Sequence, residues 1–235
     1  FDNYVITNEN RKYFNENIIY LPDSYQCNDH RKLPLKKLSR EDVGLPEDKF
    51  ILCSLNNTHK YNERLFKVWV QILKKNKNSV LWLLDDKAIK QNIFNFFSDQ
   101  NISNERIILA PKIDTHLHKS RLALADLFID SFPCNAHTTA SDSLYADLPI
   151  ITVPGNTMCS RVTGSLLNTL KIDELICKNI EEYIYKINFY INNTNELLKI
   201  RKKINKNKNL NVFNAALFSK NIEKAYKKVW DNYLN

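Results

Sequence analysis

The sequence predicts an α/β domain, a doubly wound, Rossmann-like parallel sheet followed by C-terminal helices. Two observations predict it. From Phe50 onward, short apolar runs alternate with stretches of helical periodicity. Those runs are continuous rather than alternating, as befits strands covered on both faces. Right-handed crossovers then build one sheet, which binds ligands outside the carboxyl ends of its strands.

The elements follow in order. Phe50 to Leu55 is a first buried strand, and Arg64 to Lys74 a helix with Leu65, Val68, Trp69, Ile72 and Leu73 on one face. Val80 to Leu84 is a second strand, followed by a helix over Ile89 to Ser98 that carries Ile93, Phe96 and Phe97. Arg106 to Ala110 is a third strand, closed by Pro111, and Asp114 to Ala123 a short polar helix. Leu127 to Asp130 is a fourth strand, leading through a threonine turn into a helix over Ser141 to Ala146. Pro149 to Val153 is a fifth strand, ended by Pro154-Gly155, and Cys159 to Leu170 the next helix.

Helices are then expected over Ile180 to Ile191, Asn195 to Ile204 and Ser219 to Tyr233. The last carries an apolar stripe (Ile222, Ala225, Tyr226, Val229, Trp230, Tyr233) expected to pack on another layer. Before Phe50, Tyr4 to Thr7 and Ile18 to Pro22 are short strand-like runs without helices between them. Three parts follow: residues 1–45 as a linker or the end of a preceding lobe, 46–178 as the nucleotide-binding lobe, and 179–235 as helices packing back on it.

Bulk properties narrow the function. A chain of 235 residues with 43% hydrophobic residues supports a real core. No run approaches the roughly 18 apolar residues of a membrane span, and no leader opens the chain. A soluble, cytoplasmic protein without membrane contact is expected. The five cysteines are scattered without a C-x-x-C pair, so free thiols in a reducing compartment fit better than disulfides or zinc. The net charge of +8 invites a nucleic-acid reading. The densest basic run, Arg201 to Lys208, lacks interleaved aromatics for stacking, so a solvated face is expected and nucleic acid is not.

With three glycines in the chain, no dinucleotide fingerprint or P-loop can form. Any phosphate site must use other donors. The segment Asn135 to Asp142 supplies them, since a strand turning into a helix presents free N–H groups and the positive end of the helix dipole. His137, Thr138 and Thr139 sit on that turn and read either as phosphate donors or as ordinary capping residues. Asp142 could accept from ribose hydroxyls, or simply favour the helix N-terminus. Lys60, after the first strand, could neutralise a diphosphate leaving group, although loop lysines are common in this chain. His118 and Arg121 share a helix face and could stack on and support a base, or form an exposed polar helix. His116 and His118 lack a third ligand nearby, so no metal is expected. Nor does Ser141 or Ser143 lie in a glycine elbow.

Several words recur together: Tyr20-Leu21-Pro22 with Tyr25-Gln26-x-Asn28-Asp29, Gly44-Leu45-Pro46-Glu47-Asp48, Asn56-Asn57 with Lys60, and Asn78 to Leu84. Then come Arg106-Ile107-Ile108, Leu124 to Asp130, Cys134-Asn135-Ala136-His137-Thr138-Thr139 with Asp142, and Pro154-Gly155 with Ser160-Arg161-Val162. Together they resemble the catalytic region of the O-linked N-acetylglucosamine (O-GlcNAc) transferase family, which includes plant SPINDLY-like and bacterial relatives. The resemblance covers nearly the whole chain in order.

It implies the C-terminal lobe of a GT-B glycosyltransferase, where the donor nucleotide lies between two lobes. By this resemblance Lys60 would neutralise the departing diphosphate, with Asn57 beside it where human-type enzymes carry glutamine. His137, Thr138 and Thr139 would hold the phosphates. His118 would stack on uracil, supported by Arg121, with the backbone of Ile113 at the base edge. Asp142 would bind the ribose and Cys134 would lie near the sugar. At Thr115, some members carry a ribose-binding lysine. The chemistry implied is inverting, metal-independent transfer from a UDP-sugar, chiefly UDP-GlcNAc, to Ser/Thr of a protein acceptor. Preorganised donors and one lysine suit that leaving group without a cofactor. SPINDLY-like relatives use a guanine nucleotide of fucose instead. The resemblance also implies a fragment, with the first catalytic lobe and tetratricopeptide repeats as missing partners. A non-catalytic nucleotide-binding or interaction module is the rival reading.

Overall fold

A computed structural model describes residues 1–28 and 36–234. Asp29, in one of the words above, lies outside the described residues. Five parallel strands form one sheet: β1 (Phe50–Ser54), β2 (Ser79–Leu84), β3 (Ile107–Ala110), β4 (Leu127–Ile129) and β5 (Ile150–Ile151). Their order across the sheet is β3-β2-β1-β4-β5. The register pairs Leu52 with both Leu81 and Leu127, so β1 is the central strand.

The connections are helical, as expected. Helices α1 (Glu63–Lys75) and α2 (Lys90–Asp99) follow β1 and β2. After β3 and β4 come α3 (Thr115–Leu122) and α4 (Thr138–Tyr145), and after β5 comes α5 (Val162–Thr169). The chain then continues through α6 (Ile180–Asn192), α7 (Thr194–Asn207) and α8 (Ala215–Leu234).

Helix α1 shows how sequence makes the layer. Asn62 caps it by accepting from Leu65 N at 3.0 Å. Leu65, Val68, Trp69, Ile72 and Leu73 then turn inward and are buried, and the helix packs on α6. Helix α3 packs on α4, and α4 on α5. Trp69 and Trp82, both essentially inaccessible, anchor the core; fully burying each large aromatic contributes about 3 kcal/mol or more.

Besides the starts of α5 (Val162 rather than Cys159) and α8 (Ala215 rather than Ser219), three differences from the sequence expectation matter. Helix α4 begins at Thr138 rather than Ser141, because Ala140 N and Ser141 N both donate to the His137 carbonyl. The two threonines are therefore the first helical residues. The runs Tyr4–Thr7 and Ile18–Pro22 form no strand; a single bridge joins Asp2 to Leu21. Asp2 there accepts from Val5 N, Tyr25 N and Ser165 Oγ, which ties the N-terminal segment to α5. Finally, the stripe of α8 is largely uncovered: among the described residues the helix has no buried residue, Ile222 and Ala225 are half-buried, and Trp230 and Tyr233 are 59% and 79% exposed.

Candidate functional site

In the strand order β3-β2-β1-β4-β5 the winding direction reverses between β1 and β4. In sheets of this kind the ligand crevice lies outside the carboxyl ends of those two strands. Two loops form its floor there, and a lysine joins them.

The first loop follows β1. Residues 58–60 form a 3-10 turn whose start is capped by the Asn57 side chain, accepting from His59 N at 3.1 Å. Thr58 pins the turn to the next loop by donating to Asp86 Oδ2 at 2.6 Å. Tyr61 locks its far end by donating to the Ser54 carbonyl at 2.6 Å. Lys60 is thereby aimed across the crevice, where its ammonium donates to the carbonyl of Asn135.

The second loop follows β4 and is held from every side. Asp130 is buried and accepts from Ser131 N, Ala136 N and Thr152 Oγ1 at 2.7–2.8 Å. Burial raises its carboxyl above the usual range, against the pull of those donors and of Lys60. Asn135 Nδ2 donates to the Ser131 carbonyl, and Ser131 Oγ to the Cys134 carbonyl. Thr163 and Asn62 donate to the carbonyls of Ala136 and Phe132. The Phe132–Pro133 peptide is cis.

This loop delivers the chain to the start of α4. No side chain caps that helix, and its first N–H groups have no partner within it. Thr138 is exposed and Thr139 half-buried. The His137 ring lies against the Cys159 carbonyl, 3.1 Å from Nε2. A carbonyl only accepts, so Nε2 carries the hydrogen and Nδ1 is left open.

Helix α3 forms the third side. Asp114 caps it by accepting from His116 N at 2.9 Å. Arg121 is 1% exposed and lies 5.7 Å over the Trp82 ring. It donates to the Pro111 carbonyl at 2.6 Å and lies 2.9 Å from His118 Nδ1. Guanidinium cannot accept, so His118 Nδ1 accepts and the imidazole is neutral, with its hydrogen on Nε2. Burial, with Arg121 and Lys119 adding to it, pushes His118 down to about 4. Burial also lowers Arg121, to about 10, which leaves it charged at neutral pH. The polar α3 was open to a reading as an exposed face; Arg121 is instead a core residue. Ile113 is 37% exposed in the loop before α3.

Asp142 on α4 meets Lys119 on α3 at 3.2 Å, while burial raises its carboxyl above the usual range. Cys134 is half-buried beside Lys60.

The sequence-predicted residues thus fall into two groups linked by α4, which carries Thr138 and Thr139 at its start and Asp142 one turn on. Lys60, Asn57, Cys134, His137, Thr138 and Thr139 border the β1/β4 reversal. His118, Arg121, Ile113 and Asp142 border α3 and its junction with α4. Sequence reasoning missed Asn135 as the seat of Lys60, Asp130 as the anchor of the loop, and Lys119 as the partner of Asp142. An aspartate ending an apolar strand was the only signal for Asp130. Among the described residues, no group of three or more His, Cys, Asp or Glu is gathered as metal ligands, and no helix is long and apolar enough to cross a membrane.

Comparison with known proteins agrees with this topology. The model of glycosyl transferase family 41 matches residues 35–222. The Arabidopsis thaliana "Probable UDP-N-acetylglucosamine--peptide N-acetylglucosaminyltransferase SEC" is 33% identical over 227 residues, covering 93% of this chain and 23% of that protein. A SPINDLY protein of Solanum lycopersicum, similarly named, is 25% identical over 224 residues, 93% of this chain and 24% of its own length. The chain therefore spans about a quarter of the length of these two relatives. An O-GlcNAc transferase from Thermobaculum terrenum superposes with a TM-score of 0.87 at 20% identity, over 98% of this chain and 44% of that one. Its fold is that of one lobe of a GT-B glycosyltransferase, and the chain belongs to glycosyl transferase family 41.

Proposed function

We propose that this chain is the nucleotide-sugar-binding C-terminal lobe of an inverting, metal-independent protein O-glycosyltransferase. It takes UDP-GlcNAc as donor, and the acceptor is a Ser or Thr side chain of a protein. A further lobe completes the cleft and supplies the acceptor contacts. One observation carries this reading: the Lys60 ammonium bridges to Asn135 across the β1/β4 reversal, beside the uncapped start of α4. The names of the relatives, peptide N-acetylglucosaminyltransferases that use UDP-GlcNAc, support the donor and acceptor class.

In this reading the diphosphate lies over the first turn of α4. The N–H groups and hydroxyls of Thr138 and Thr139 point to its oxygens, and the helix dipole adds to them. Lys60 exchanges the Asn135 carbonyl for the phosphate oxygen on which charge grows as the glycosidic bond breaks. Such a preorganised donor acts where transition-state charge develops. Asn57 offers its amide N–H groups beside it. His137 assists through its backbone N–H, or through Nδ1 when the ring is protonated, because Nε2 is already committed to Cys159. The neutral His118 ring stacks on the base without carrying charge into an apolar stack, and Arg121 holds the ring in that tautomer. Ile113 presents its backbone to the base edge. Asp142 and Lys119 meet the ribose, and Cys134 lies near the sugar. The acceptor hydroxyl attacks the anomeric carbon from the opposite face, so the configuration inverts.

The test is transfer of labelled N-acetylglucosamine from UDP-GlcNAc to a protein acceptor by this lobe joined to the further lobe, with and without a metal chelator. Chelator-insensitive transfer with inverted configuration supports the reading. Transfer abolished by chelation and restored by a divalent cation contradicts the metal-independent mechanism.

A further inference from the structure

The loops after β4 and β5 lie side by side, because those strands are neighbours in register, Phe128 opposite Ile150 and Ile129 opposite Ile151. Each loop carries a cysteine, Cys134 on the first and Cys159 on the second. Both thiols are free and partly accessible. Cys159 lies close enough to Cys134 to help raise its thiol. A backbone bond reinforces the contact, Asn135 N donating to the Cys159 carbonyl at 2.9 Å. The Thr157 hydroxyl lies 3.3 Å from Cys159 Sγ, and the Lys60 ammonium is near Cys134.

The Cys159 peptide has a second role. Its carbonyl holds both Asn135 N and the His137 ring, and the Asn135 carbonyl in turn seats Lys60. Three groups on the floor of the crevice thus take their positions from the junction between the two cysteines.

We propose that Cys134 and Cys159 form a dithiol modification site that closes reversibly to an intramolecular disulfide and, in closing, loosens the nucleotide site. The second part rests on the donor-site reading above. The oxidant class is a small disulfide such as oxidised glutathione. One protein thiolate attacks a sulfur of glutathione disulfide, its S–S bond breaks, and one glutathione leaves as a thiol after taking up a proton. The second protein thiolate then attacks the mixed disulfide at the protein sulfur and releases the second glutathione. The protein loses two hydrogens and two electrons, and the glutathione disulfide gains them. Burial raises the Cys134 thiol above its ordinary value, against the pull of Lys60. The Cys134 thiol is therefore slow to react at neutral pH and faster in mild alkali.

A covalent bond of roughly 2.05 Å draws the sulfurs closer than any non-bonded contact allows. The Cys159 peptide must shift with its sulfur, and with it the seats of His137 and Lys60. A hydrogen bond stretched by about 1 Å is no longer one, so each displaced seat removes a donor from the nucleotide.

The chain is incubated with oxidised glutathione at mildly alkaline pH, digested without reduction and mapped by mass spectrometry, while UDP affinity is measured before and after. Exposed Cys27 serves as the internal control for oxidant action. The expected result is a Cys134–Cys159 linked peptide, a loss of UDP affinity of about tenfold or more, the scale of one misplaced charge-assisted hydrogen bond, and recovery with dithiothreitol. Cys159→Ser should show the same UDP affinity in both conditions. Glutathionylated Cys27 without the linked peptide would overturn the site. A linked peptide with unchanged UDP affinity would overturn the coupling. Failure of the reduced chain to bind UDP would count against the donor-site reading, whereas the mapped bond would still establish the dithiol site.

Discussion

His118 should stay neutral well below the pH at which an ordinary histidine takes up a proton. The perturbation is acidification, compared between the native chain and His118→Gln, which keeps an acceptor for Arg121. Burial and the adjacent Arg121 hold His118 at about 4 in the folded chain, against roughly 6.5 when unfolded. A lowered histidine favours the neutral form in the folded state. Below about pH 6.5 the unfolded chain takes up the proton first, so stability is full above that value and falls as pH drops toward 4. The full shift corresponds to about 3 kcal/mol, and solvent screening of the partly buried ring reduces that to about 1–2 kcal/mol. Asp130 and Asp142, whose carboxyls are raised, contribute in the opposite sense, but do so in both proteins and cancel in the difference. Two assays read this. Urea unfolding from pH 7.5 to 4.5 should show the native chain losing about 1–2 kcal/mol relative to His118→Gln. NMR of the imidazole should show the Nε2–H tautomer persisting through pH 5. A titration midpoint of about 6–7 for His118 would refute the claim that Arg121 and burial fix its neutral form.

Other perturbations have equally definite outcomes. Lys60→Ala should lower sugar transfer by about 10²–10³-fold, the scale of losing one preorganised donor to transition-state charge; unchanged turnover would remove Lys60 from the leaving-group role. Asp130→Asn leaves one acceptor oxygen where two now serve three donors, so urea unfolding should show a loss of about 1–3 kcal/mol. In Gly164→Ala the new methyl would meet the Tyr4 hydroxyl at 2.4 Å; a cost of about 1–3 kcal/mol should appear as a lower Tm, and an unchanged Tm would deny that Tyr4 packs there. Trp230→Ser on the exposed face of α8 should change stability by less than about 0.5 kcal/mol; a larger loss in thermal unfolding would mean that the stripe is covered.

The parallel sheet was legible because its strands are continuous apolar runs and α1 carries an unbroken inward face from Leu65 to Leu73. The reversal between β1 and β4 was not, since strand order depends on which edges meet and not on any one run. The start of α4 was misjudged because Thr138 and Thr139 have weak helix propensity, which the acceptor at the His137 carbonyl overrides. The stripe of α8 was legible as amphipathic, yet periodicity does not say what covers a face. At the site, residue types pointed to phosphate and base, and the fold places them on the segments that follow β1, β3 and β4. What escaped was backbone. Lys60 rests on a carbonyl, and His137 on another, and no side-chain pattern marks a carbonyl. Arg121 escaped for a related reason: a core arginine becomes tolerable only when Pro111, His118 and Trp82 surround it, and those contacts are tertiary.

The most direct measurement is calorimetric titration of this chain with UDP and with guanosine diphosphate, repeated on Lys60→Ala and His118→Ala. The predicted result is that UDP binds more tightly than guanosine diphosphate and that both substitutions weaken it, Lys60 through the diphosphate and His118 through the base. Preference for guanosine diphosphate would move the donor to a guanine nucleotide sugar. A folded chain whose UDP affinity is untouched by both substitutions would contradict the proposed placement of the nucleotide.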